Sequence, residues 1–123
     1  MNQAEQIQYL ANIYHLARAD ENFEVEEDYI IQEIAKDIGA GYLETRKALD
    51  MSMAEDFKVV PPARLSDRLR TVEDMLFVAY CDRKLAQMEK KIILTFAKQI
   101  GVGKKQFDVI RQETKGRLKG VVK

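Results

Sequence analysis

Cysteine occurs once in this chain, histidine once, tryptophan not at all, and proline only as the adjacent pair Pro61-Pro62. A lone Cys81 rules out an intramolecular disulfide, and a reducing, cytoplasmic home is the simplest expectation. Cys81 aligns with Ala19 in the repeat described below, so it reads as a small buried helix residue rather than a reactive thiol. No stretch of 18 continuous apolar residues exists, so no membrane span is expected. The opening MNQAEQIQYL lacks the basic start and apolar run of a signal peptide. His15 has neither a partnered nucleophile nor a metal-ligand cluster near it, which argues against an enzyme. An enzyme reading would need a water-excluded cleft holding acids of shifted pKa. A phosphate loop is missing too: Gly39-Ala40-Gly41 and Gly101-Val102-Gly103 follow helical patterns and read as helix stops. No strand pattern survives, because the nearest candidate, residues 57–60, is short and runs into Pro-Pro.

What the chain does have is a repeat. Residues 17–41 return 62 positions later as residues 79–103, without a gap, and ten of the 25 pairs are identical. Unrelated segments of similar composition would share roughly two. The identities are Ala17/Ala79, Asp20/Asp82, Glu27/Glu89, Ile30/Ile92, Ile31/Ile93, Ala35/Ala97, Lys36/Lys98, Ile38/Ile100, Gly39/Gly101 and Gly41/Gly103.

Hydrophobic spacing places helices around this repeat. Residues 4–18 carry Ile7, Leu10, Ala11, Tyr14 and Ala17 as one stripe of helical period. An acidic loop follows, with Phe23 as its plug. Helix resumes near Glu26 with Ile30, Ile31, Ile34, Ala35 and Ile38 on one face, and Gly39 stops it. A third helix is expected over residues 42–53. Residues 54–65 form a linker, since neither proline can sit in a helix interior. In the second half Ser66 is a candidate N-cap for a helix reaching Cys81, with Leu69, Val72, Leu76 and Ala79 buried. Leu85 takes the place of Phe23. A fifth helix then carries Ile92, Ile93, Phe96, Ala97 and Ile100. A sixth begins near Lys104 with Phe107, Ile110 and Thr114 inward, and Gly116 and Gly120 predict fraying beyond about Lys115. The expectation is an all-α bundle of about six helices. Residues 1–123 form one domain with two pseudo-symmetric three-helix halves, about 4–53 and 63–115, and a frayed basic tail over 116–123.

The chemistry on offer is acidic. Asp20…Glu27 and Asp82…Glu89 each place one acid at the end of a helix and another at the start of the next. A loop that turns the chain back can gather such carboxylates, and oxygen clusters suit calcium or magnesium. A structural role accounts for the same residues more simply. Asp20 can bond its own loop backbone, and Glu27 answers the helix dipole. An EF-hand is excluded, because the residue that must be glycine is Val25 and the bidentate glutamate position holds Ile31. Arg83 and Lys84 beside Asp82 make the second loop the poorer cation site.

Net charge is zero but lopsided. Residues 1–60 hold 13 acids and 5 bases, residues 61–123 hold 7 acids and 15 bases, giving −8 and +8. Opposed halves can attract each other, a protein partner, or a second copy as a homodimer, or simply solvate their own surfaces. The tail from residue 104 is basic, but few aromatics lie among its charges, so nucleic acid is not expected as a partner.

The sequence of Ala19-Asp20, Glu27, Ile38-Gly39, Ala79, Asp82, Glu89 and Ile100-Gly101 resembles the TerB-like (tellurite-resistance) family over about residues 10–110. The resemblance implies an all-helical bundle of two similar halves and an association with tellurite or other stress resistance. A relative of the domain precedes a J-domain in a membrane-anchored co-chaperone. The resemblance also implies metal binding at the positions matched by Asp20, Glu27, Asp82 and Glu89. The family loop usually places glycine directly after its aspartate, and this chain has Glu21 and Arg83 there. The resulting expectation is a non-enzymatic binding domain, with a protein-protein interaction or scaffolding module free of metal as the alternative.

Overall fold

Helix boundaries in the computed structural model follow local chemistry. It describes residues 1–19, 25–80 and 87–121. Helix α1 (Gln3–Ala17) starts at a reciprocal cap: Asn2 Oδ1 accepts the Glu5 N–H at 2.8 Å, and Glu5 Oε1 accepts the Asn2 N–H at 2.9 Å. Helix α2 (Val25–Asp37) opens on three acids that suit the positive end of its dipole. Gly39 ends it at φ 81°, where a side chain would be strained. The Ala40 N–H then reaches back to the Ala35 carbonyl at 2.8 Å, and Gly39 to Lys36 at 3.1 Å. Helix α3 (Tyr42–Ser52) follows, and the extended linker crosses to α4 (Leu65–Ala79), α5 (Gln87–Gln99) and α6 (Lys104–Val121). There is no strand among the described residues.

The 62-residue offset survives in the backbone. α1 and α4 have the same bounds after the shift, as do α2 and α5, and α3 and α6 start in register. Gly101 sits at φ 80°, with Val102 bonded to Ala97 at 2.8 Å, reproducing the Gly39 stop. The Gly41 N–H donates to Glu44 Oε1 at 2.9 Å and the Gly103 N–H to Gln106 Oε1 at 3.2 Å. The packing repeats as well. α3 lies on α1 and α6 on α4, while α2 and α5 each touch both α1 and α4.

Central placement explains one departure from the expected stripe. α1 buries Tyr9, Asn12, Ile13 and Leu16 as well as Leu10, Ala11, Tyr14 and Ala17, while Ile7 stays half-buried. A helix with neighbours all around has no solvent face to spare. α4 likewise buries Thr71, Asp74, Met75, Phe77 and Val78 beyond the expected Val72, Leu76 and Ala79, and Leu69 is half-buried.

Three boundaries differ from expectation. The residue capping α4 is Arg64, not Ser66, and its side chain makes no cap bond; Ser66 lies inside the first turn. α4 ends at Ala79, short of Cys81. α6 continues to Val121 instead of stopping near Lys115. A side chain at Gly116 would meet nothing within 4 Å, so this glycine lies on an open face. There it costs about 1 kcal/mol relative to alanine, too little to end a helix.

Candidate functional site

The expected cation ligands divide at the loops. Asp20 and Asp82 lie outside the described residues, as do Glu21, Asn22, Phe23, Glu24, Cys81, Arg83, Lys84 and Leu85. Glu27 and Glu89 are described and share one setting. Each stands in the first turn of its helix, and each is turned inward, 4 % and 3 % exposed. Among the described residues no group of three or more His, Cys, Asp or Glu side chains is placed to hold a metal ion.

The chemically richest constellation is one the sequence analysis passed over. Asp74, 7 % exposed, accepts the Tyr9 hydroxyl on Oδ2 at 2.5 Å, and Arg70 Nε lies 3.5 Å from the same oxygen. Arg70 also reaches Asp37 Oδ2 at 3.8 Å, so the chain Tyr9–Asp74–Arg70–Asp37 ties α1, α4 and α2 together. Burial pushes the Asp74 carboxyl above the ordinary carboxylate range, against the pull of Tyr9 and Arg70. Burial, and next the Asp74 charge, push the Tyr9 phenol above its usual value. Thr71 satisfies its hydroxyl on the Asp67 carbonyl at 2.7 Å.

Asp74 also floors a cleft of about 190 Å³ between α2, α4 and α6. Ile30 and Ile34 supply an apolar wall, and Tyr29 stands exposed at the rim. Glu33 and Asp37 add two further carboxylates. Arg117 enters from α6, its guanidinium 4.9 Å from the Phe77 ring centre and 3.6 Å from Glu73. A second hollow, of about 250 Å³, lies between the start of α1 and the Pro61-Pro62 linker.

Across the molecule, the linker covers the face of α1 that corresponds to this part of α4. Asn12, the counterpart of Asp74, grips the linker backbone. Its Nδ2 donates to the Val60 carbonyl at 2.9 Å, and its Oδ1 accepts the Val60 N–H at 3.3 Å. Gln8, the counterpart of Arg70, donates to Asn12 Oδ1 at 2.9 Å. The Phe57 ring stands 5.2 Å from that of His15, whose imidazole pKa burial lowers. His15 is thus a packing residue at the edge of the core. A polar pair at one place in both copies was the signal for this site. It lies N-terminal to the repeat as aligned, at Gln8/Arg70 and Asn12/Asp74.

No family model matches the chain, and neither a curated protein nor a solved structure matches it. Among the described residues no helix is long and apolar enough to cross a membrane.

Proposed function

We propose that the chain is a non-enzymatic, TerB-like protein-binding module of two pseudo-symmetric halves, with the first half as its contact surface. One observation carries this reading. Val25, Tyr29, Tyr42, Leu43, Met51 and Met53 are all exposed, Tyr42 by 80 %. At the same places in the second half stand Gln87, Lys91, Lys104, Lys105, Glu113 and Lys115, also exposed. Except at Met53, which follows the end of α3 while Lys115 lies within α6, both sets stand on helix, so the fold does not require these apolar side chains. The reverse exchange, Leu65, Met88, Leu94 and Val109 for Gln3, Glu26, Gln32 and Lys47, is smaller and brings no aromatic ring. Tyrosine is a preferred interface anchor, large and stiff with one polar tip. The acidic charge of the same half selects basic partners.

The test is site-specific photo-crosslinking in cells. A benzophenone amino acid at Tyr42 is expected to give a discrete adduct that Leu43→Lys removes, while the same label at Lys104 gives none. Equal adducts from both positions would sink the reading. Leu43→Lys should itself leave stability within about 0.5 kcal/mol, as an exposed substitution.

A second reading keeps a divalent cation at the acidic pairs. In its favour, Glu27 and Glu89 are turned inward at equivalent positions, beside the loops carrying Asp20 and Asp82. Calcium or magnesium at millimolar concentration should then raise the melting temperature and shift the Glu27 amide, and Glu27→Gln should abolish both changes. An unchanged melting curve and unchanged amides would remove it.

A further inference from the structure

The linker covers α1 at Asn12, whereas at the matching place α4 meets Arg117 of α6 on Phe77 and a cleft stays open beside it among the described residues. Over α1 the non-helical linker is held by a side-chain amide, Asn12, and by ring packing of Phe57 on His15. Shifting by 62 residues turns Gln8, Asn12 and His15 into Arg70, Asp74 and Phe77. The polar pair is retained as Arg70 and Asp74, and Asp74 lines the cleft of about 190 Å³. We propose that this cleft seats an extended peptide segment of a partner protein, one that carries a basic side chain. The inference rests on the reading of the chain as a protein-binding module.

Three features argue for that occupant. The chain's own linker is the precedent for an extended segment at the matching place. Asp74, in the lining, can accept a backbone N–H as Asn12 Oδ1 does. The charge in and beside the lining is acidic by one, which suits a cation: Glu33, Asp37, Glu73 and Asp74 against Lys36, Arg70 and Arg117. Arg117 is itself engaged with Glu73 and with the Phe77 ring, and its seat there shows that a guanidinium fits this wall. Ile30 and Ile34 are placed for the aliphatic stem of a lysine or arginine.

The probe is the linker's own sequence. The full 123-residue chain, isotope-labelled, is titrated with acetyl-Phe-Lys-Val-Val-Pro-amide and with its Lys-to-Glu analogue, to about 5 mM, a range suited to a weak contact. The lysine peptide is expected to shift the amides of Tyr29, Asp37 and Phe77 saturably, with the glutamate peptide at least about fivefold weaker. The double variant Glu33→Gln, Asp37→Asn should weaken the lysine peptide about threefold to tenfold, as expected for two screened charge pairs. Thr95→Ala, on the exposed side of α5, should leave peptide binding unchanged. Equal affinities for the two peptides, or no shifts at all, overturn the cleft proposal. Shifts confined to Tyr42 and Leu43 overturn it too, but leave the protein-binding reading standing. Shifts of the cleft and α6 amides on raising protein concentration without peptide would assign the cleft to a second copy and overturn the partner segment.

Discussion

Truncating Asp74 to alanine is expected to remove about 3 kcal/mol of stability, whereas Asp74→Asn should change it by less than about 1 kcal/mol. The alanine leaves the Tyr9 hydroxyl, in a side chain 1 % exposed, without its acceptor, and strips Arg70 of its nearest carboxylate. Asparagine keeps an oxygen for both donors and no longer buries a charge. The pH dependence has a definite sign. Burial raises the folded-state pKa of Asp74 above its ordinary value near 3.8. The folded state therefore binds the proton more tightly than the unfolded chain does. The stability that Asp74 contributes by this route is complete below the unfolded pKa and is lost as pH rises through the folded one. Urea melts of the native chain and Asp74→Asn should thus diverge in favour of the native chain as pH falls from 7 toward 4. A gap that stays constant, or moves the other way, would show that Tyr9 and Arg70 outweigh burial.

The second large effect concerns the core. Ile31 and Ile93 occupy equivalent positions and are both fully buried. Ile31→Ala and Ile93→Ala should each cost about 3 kcal/mol, from lost transfer energy plus the cavity left behind. Each variant should still melt in one transition, with helix signal and tyrosine fluorescence coincident. The reason lies in the packing: α2 and α5 each lie against both α1 and α4, so neither half owns a separate core. Two resolved transitions in Ile93→Ala would mean that the halves unfold independently.

Much of this architecture was legible in the sequence, because the repeat and the helical period report on local structure. Gly39 and Gly101 mark helix ends through a backbone conformation that only glycine adopts easily, and both sit at positive φ. The starts of α3 and α6, at Tyr42 and Lys104, follow directly. Periodicity was less informative about α1. It reports a single stripe, and a helix packed on several sides buries residues such as Tyr9 and Asn12 that lie off that stripe. The Tyr9–Asp74 bond spans 65 residues of sequence, and no local pattern specifies such a partner. Asp74 lies off the apolar stripe of Leu69, Val72, Leu76 and Ala79. Its burial is a tertiary fact, hinted at only by the polar residue Asn12 standing at the same point of the first copy. Asp20 and Asp82 lie outside the described residues, whereas Asp74 is buried between the helices.

The linker over α1 carries a last consequence, concerning stiffness. Asn12 pins it at Val60, Arg68 Nε holds the Pro62 carbonyl at 2.6 Å, and between them Pro61 and Pro62 have little freedom to lose. Ordering a flexible chain costs about 1–2 kcal/mol per residue. A strap of valines and prolines, already biased toward extension, escapes part of that cost. A groove that seats a linker-like segment would therefore discriminate by rigidity as well as by charge. Two basic segments of equal charge would bind unequally, the Val- and Pro-rich one ahead of the Gly- and Ser-rich one.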